Sequence, residues 1–195
     1  MPEALQNEID RMFRVSDLLV TAHSTLRDRY AFRQRATDII LLAGGALVAA
    51  FTFLDPAVAR ILLPSALPVP AIVGLAGIGI FVASLVQMKM DWNGRSALHR
   101  RAAEAYLSIK HELGRARCSS EEGARYVEAF TRIRDHYEGI GAASIPVPDR
   151  LFPRLEQIHR LKVEVSKALD QRPGASILLL RWKFWWRDTI RGGKS

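Results

Sequence analysis

Cysteine is almost missing. Cys118 stands alone among 195 residues, which excludes a disulfide framework and a zinc finger. The five histidines, His23, His99, His111, His136 and His159, fall in no HExxH or HxH arrangement. Gly192-Gly193-Lys194 lacks the upstream glycine of a Walker A loop. Gly139-Ile140-Gly141 lacks the preceding strand that a phosphate-binding turn needs. His111 and Glu112 are neighbours on a helical stretch, so they point in different directions and read as solvated side chains. Without a Ser-His-Asp or Cys-His constellation, a protein that is not an enzyme and carries no metal or catalytic cofactor is expected. Strand patterning is missing too, which leaves an all-α chain. Charge is missing from two long runs, Ile39 to Leu54 and Val69 to Met88.

Those two runs organise the chain. A helix crossing a bilayer core needs about 20 mostly apolar residues. The second run meets this, and the first does so if Asp38 or Asp55 lies near the headgroups. Two buried core helices are the alternative, but a chain this short has little protein with which to cover them. The first run follows an arginine-rich approach, so it reads as a retained membrane helix rather than a cleaved signal. Pro56, Pro64, Pro68 and Pro70 favour a turn between the runs. The expected result is a membrane hairpin over residues 36–90, with spans at about 36–54 and 69–88. Arg27, Arg29, Arg33 and Arg35 precede it, Lys89, Arg95, Arg100 and Arg101 follow it, and the loop has only Arg60. Basic residues stay on the cytoplasmic side, so both termini are expected there.

The flanking parts read as helices. Residues 1–35 carry a heptad seam: Leu5, Ile9, Met12, Ser16, Leu19, His23, Leu26 and Tyr30. This seam either packs on the chain's own helices or joins a coiled coil, and it can run straight into the first span. Residues 91–171 read as a cytoplasmic helical bundle. Its first helix, Arg95 to Arg117, presents Leu98, Ala102, Ala105, Ile109 and Leu113. Ser119 and Ser120 offer N-caps to a helix carrying Tyr126, Phe130, Ile133 and Tyr137. Gly139, Gly141, Pro146 and Pro148 read as a loop. A last helix runs from about Pro153 to Leu169, with Gln171-Arg172-Pro173-Gly174 ending it.

Inside the spans, Gly45–Ala49 and Gly79–Ala83 are small-xxx-small pairs suited to close helix contact. Gly44, Gly74 and Gly77 add to a small surface larger than one helix pair requires, so a homo-oligomer, a tetramer or similar, is expected. Asp38, Gly45 and Thr52 recur every seven residues along one stripe. Ser84 and Gln87 share a face of the second span, below Gly77 and Ile80. Polar residues inside a membrane are functional candidates. Asp38, Gly45, Thr52, Gly77, Ser84 and Gln87 are therefore pore-lining candidates, and Phe81 is a candidate apolar gate.

A helix ending in Asp28-Arg29-Tyr30-Ala31-Phe32-Arg33-Gln34-Arg35-Ala36 precedes the hairpin. Asp91-Trp92-Asn93-Gly94-Arg95 and Leu98-His99-Arg100-Arg101-Ala102-Ala103-Glu104-Ala105-Tyr106 follow it, leading into the helical bundle. This arrangement resembles the SLATT family, the SMODS- and SLOG-associating two-transmembrane effector domains of bacterial anti-phage defence, over roughly residues 10–170. The resemblance implies an inner-membrane pore or ion channel gated by a nucleotide or oligonucleotide from a partner nucleotidyltransferase, depolarising the cell and arresting growth. A membrane-anchored scaffold that recruits a partner without conducting ions is the alternative. For an anionic signal, Arg100, Arg101, Arg115, Arg117, Arg132 and Arg134 are the candidate ligands' partners.

The tail, residues 172–195, departs from the family. Arg181, Trp182, Lys183, Trp185, Trp186 and Arg187 mix tryptophan with positive charge. Such a segment suits a membrane-lipid interface, or it stacks single-stranded bases. The net charge of +8 lies wholly after the hairpin, from Lys89 onward.

Overall fold

The computed structural model describes residues 3–55, 58, 68–118 and 124–191. All regular structure among the described residues is helical. The chain divides into two units, Met1–Thr25 with Leu98–Ser195, and Leu26–Ala97. The expected turn through Pro56, Arg60 and Pro64, the Ser119–Ser120 caps and Gly192–Lys194 lie outside the described residues.

Helix α1 runs unbroken from Glu3 to Phe53. The heptad seam therefore continues straight into the first apolar run, with no proline or glycine break at their junction. Helix α2 spans Val69–Met90; Pro68 sits at its N-cap, and a proline lies inside its first turn, where a missing N–H costs nothing. Both helices are long and apolar enough to cross a membrane.

Asp91 ends α2 and begins the next helix, α3 (Trp92–Cys118). Its backbone is left-handed, φ 41° and ψ 53°. Its side-chain Oδ1 accepts the Gly94 backbone N–H at 3.0 Å, capping α3. A Cβ at Gly94 would come within 2.1 Å of Asp91 Oδ2, so glycine here leaves the cap its room.

In the unit containing both chain ends, α1, α3 and α4 (Ala124–Ala143) meet in one core of Ile9, Met12, Ile109, Leu113, Tyr126 and Phe130. The N-terminal seam thus packs on helices of its own chain. The buried stripe of α3 is His99, Ala102, Ala103, Tyr106, Ile109 and Leu113. Leu98 is exposed and Ala105 only partly buried, because an apolar-only pattern cannot register the two polar rings, His99 and Tyr106, that occupy the inner face.

Helix α4 passes through Gly139 and Gly141 instead of ending there. A helical glycine costs about 1 kcal/mol, and Ile140 between them packs against the core. The last turn closes with Ser144 N–H on the Ile140 carbonyl at 2.9 Å, just before Pro146 and Pro148. A short 3-10 turn, Asp149–Leu151, leads into α5 (Phe152–Gln171), which buries Leu155 and Val165. Arg172 caps it and Pro173 follows. The tail then forms a helix of its own, α6 (Ile177–Arg191), packed on α5.

Candidate functional site

In the second unit, α1 and α2 lie antiparallel. Ser96 donates to the Arg27 carbonyl at 3.1 Å, the Gln87 amide donates to Asp38 Oδ1, and Ile80 Cδ1 would lie 3.1 Å from a Cβ at Gly44. These three contacts pair residues whose numbers fall on one side as they rise on the other. The outward surface is strongly apolar: Leu42 is 77% exposed, Ile78 62%, Phe81 62% and Met88 76%. Such a surface suits lipid and not water.

A polar cluster stands at one edge of the pair. Asp38 Oδ1 accepts the Gln34 amide at 2.9 Å as well as that of Gln87. Gln34, absent from the expected set, is one turn before Asp38, and an i, i+4 carboxylate–amide spacing is the signal that finds it. Thr52 lies two heptads along the same stripe, its hydroxyl donating to the Val48 carbonyl at 2.8 Å. Ser84 donates likewise to the Phe81 carbonyl at 2.7 Å. Hydroxyls folded onto their own helix are satisfied without water, as hydrocarbon requires. Ser84 and Gln87 share the α2 face that also carries Ile80, the side turned to α1. Phe81 faces outward instead. Gly45, Gly74, Gly77 and Gly79 would meet nothing within 4 Å if given a Cβ; only Gly44 is used within the pair.

The six arginines proposed for an anion do not form one site. Arg100 reaches Glu104 at 3.9 Å, Arg134 reaches Glu138 at 2.9 Å, and Arg117 reaches Asp10 at 2.9 Å while lying over the Phe13 ring at 4.8 Å. Arg101 is exposed on the outer face of α3. Arg115 and Arg132 are brought together, lining a hollow of about 510 Å³ between α3 and α4 with Glu112, Tyr126 and His136. Glu112 lies 3.6 Å from His136 Nδ1, so it turns toward α4 and away from its neighbour His111. Burial raises the Tyr126 hydroxyl above its ordinary pKa, and the Asp10 carboxylate adds to the shift.

The same unit holds a buried histidine pair that the heptad seam only hinted at. His23 and His99 are each 2% exposed, with their Nδ1 atoms 2.9 Å apart. One ring must donate its Nδ1–H while the other accepts, so when both rings are neutral they are different tautomers. Tyr106 stacks on His23, centroids 5.7 Å apart. Burial, then the neighbouring His99, lowers His23 to a pKa of about 4, and burial lowers His99 as well.

On α6, Trp182 and Trp186 lie against each other, ring centroids 5.6 Å apart. Arg187 pairs with Glu164 of α5 at 2.7 Å and covers the Phe184 ring. Arg181 and Trp185 border a second hollow, of about 450 Å³, together with Arg154 and Arg160 of α5. Lys183 is exposed. Comparison of the chain with protein-family models, curated proteins and solved structures gives no match.

Proposed function

We propose that this chain is a pore-forming effector of the SLATT type in the bacterial inner membrane. In this reading α1 and α2 cross the bilayer as a hairpin, several copies assemble, and the other unit lies in the cytoplasm as a sensor bundle. The observation that carries the proposal is the α1–α2 pair itself. Its outward surface is apolar, it keeps a polar edge of Gln34, Asp38, Thr52 and Gln87, and four of its glycines are left open. Open glycines permit close approach of a further helix. A polar edge repeated around an axis would give ions a hydrated path.

The hollow carrying Arg115 and Arg132 is the best supported place for an anionic signal. Two guanidinium groups hold phosphate oxygens by charge-assisted hydrogen bonds, and the Tyr126 ring forms part of the wall. The signal is a nucleotide or oligonucleotide supplied by a partner nucleotidyltransferase.

Liposome flux tests both parts. The purified protein, reconstituted into potassium-loaded vesicles, should release the ion, alone or with added nucleotide. Arg115→Ala with Arg132→Ala should abolish the nucleotide response and leave assembly unchanged. Tight vesicles containing folded, inserted oligomer, across candidate nucleotides, would refute conduction. The scaffold reading would then stand, and it predicts that growth arrest survives replacement of the hairpin by an unrelated one.

A further inference from the structure

Helix α6 presents two different apolar faces. Leu180 and Phe184, one turn apart, are partly buried on the side that packs on α5. Leu178, Leu179, Trp182 and Trp186 fall on the opposite side by the 3.6-residue period. They are exposed by 76%, 66%, 61% and 51%. Trp185, half exposed, stands at one edge of this second face.

Charge frames that face. Arg181 stands on one edge beside Trp185, and Lys183 stands on the other. The edge with Arg181 opens into the hollow shared with α5, where Arg154 also lies. Glu164 in that hollow is occupied by Arg187, and Arg160 by Glu156 at 2.6 Å. From Arg172 onward the chain carries six basic residues and one acidic residue.

We propose that α6 lies in the plane of an anionic lipid leaflet, with Leu178, Leu179, Trp182 and Trp186 entering the headgroup–acyl boundary and Arg154 and Arg181 holding lipid phosphate. An amphipathic helix with tryptophan and leucine on one face and cations at its flanks has the composition of an interfacial helix. Indole rings favour the headgroup level, where a large apolar ring and its N–H are both accommodated. A negative leaflet attracts juxtaposed basic residues by about 1 kcal/mol each, or roughly fivefold in binding. Single-stranded nucleic acid fits less well. Trp182 and Trp186 lie on each other rather than apart, which leaves less ring face for successive bases.

This inference rests on the reading of α1 and α2 as membrane spans. Its test separates the two. In the full chain with Cys118→Ser, single cysteines at Leu179, at Ile78 on α2 and at Glu128 on α4 carry an environment-sensitive fluorophore. The protein is reconstituted in phosphatidylcholine alone or in a mixture with phosphatidylglycerol. The Ile78 label should be shielded in both lipids and the Glu128 label in neither. The Leu179 label should become shielded in the anionic mixture only. Arg154→Gln and Arg181→Gln should each reduce the shielded fraction's apparent affinity for phosphatidylglycerol roughly fivefold. Shielding at Ile78 with a solvent-exposed Leu179 label in both lipids would overturn the α6 proposal alone. An exposed Ile78 label would overturn the spanning reading. A Leu179 label that responds to added oligothymidylate and ignores lipid charge would also overturn the α6 proposal and favour nucleic acid.

Discussion

Acid should loosen the unit built from both chain ends, and the buried histidine pair sets how much. In the folded protein His23 stays neutral down to a pKa of about 4. In the unfolded chain it takes a proton near 6.5. The unfolded state therefore binds more protons between these values, and stability falls as pH falls. The contribution is complete above about pH 6.5 and is lost progressively toward pH 4. The gap corresponds to about 3 kcal/mol for His23. His99 acts in the same direction, since burial lowers it too. The perturbation that isolates this term is the double substitution His23→Leu with His99→Leu. It removes donor and acceptor together and leaves neither unsatisfied, so it should be nearly neutral at pH 7. Amide exchange of the α3 segment, corrected for intrinsic rate, measures local opening free energy in the detergent-solubilised full chain. The native protein should lose about 3 kcal/mol more than the double variant between pH 7 and pH 4. Equal losses in the two proteins would show that the pair does not titrate as its burial requires.

Other substitutions probe separate parts of the structure. Leu113 is fully buried in the three-helix core, so Leu113→Ala should cost about 2–5 kcal/mol in a denaturant titration. Asp91→Ala removes the α3 cap and leaves a left-handed backbone without its local hydrogen bond, a loss of about 1–2 kcal/mol; Asp91→Asn should restore most of it, by the same titration. Gly44→Leu should separate α1 from α2, because a Cβ there already crowds Ile80; a loss of cross-linking between cysteines placed at positions 38 and 87 would report it. Gly45→Leu should preserve that cross-link and lower the oligomer mass measured by light scattering.

Long segments are legible in the sequence, the N-terminal seam by its period and the apolar runs by their length and lack of charge. Of the seam, Ile9, Met12, Leu26 and the polar Ser16 and His23 are buried, while Leu5, Leu19 and Tyr30 are partly so. The second apolar run is α2, with ends close to those expected, whereas the first is only the C-terminal part of α1, which begins at Glu3 and ends at Phe53. What escaped was chemistry between distant segments. His23 and His99 are seventy-six residues apart, and each alone reads as an ordinary polar residue. The end of α4 is not legible, because Gly139 and Gly141 are helix breakers by propensity, while Ile140 between them has a core to pack against. The arginines formed one list by charge, and only packing separates Arg115 and Arg132 from those held by nearby carboxylates. The α6 helix was legible as composition, but its two faces required α5 to show which one is covered.

Ion conduction is the claim on which the functional reading turns, and single-channel recording in planar bilayers tests it most directly. The purified oligomer should give discrete current steps. Asp38 accepts both Gln34 and Gln87 at the polar edge of the pair, so Asp38→Asn should reduce the preference for cations while the oligomer remains intact. A folded, inserted oligomer that passes no current with or without nucleotide, or steps whose selectivity ignores Asp38→Asn, would contradict a pore lined by this edge.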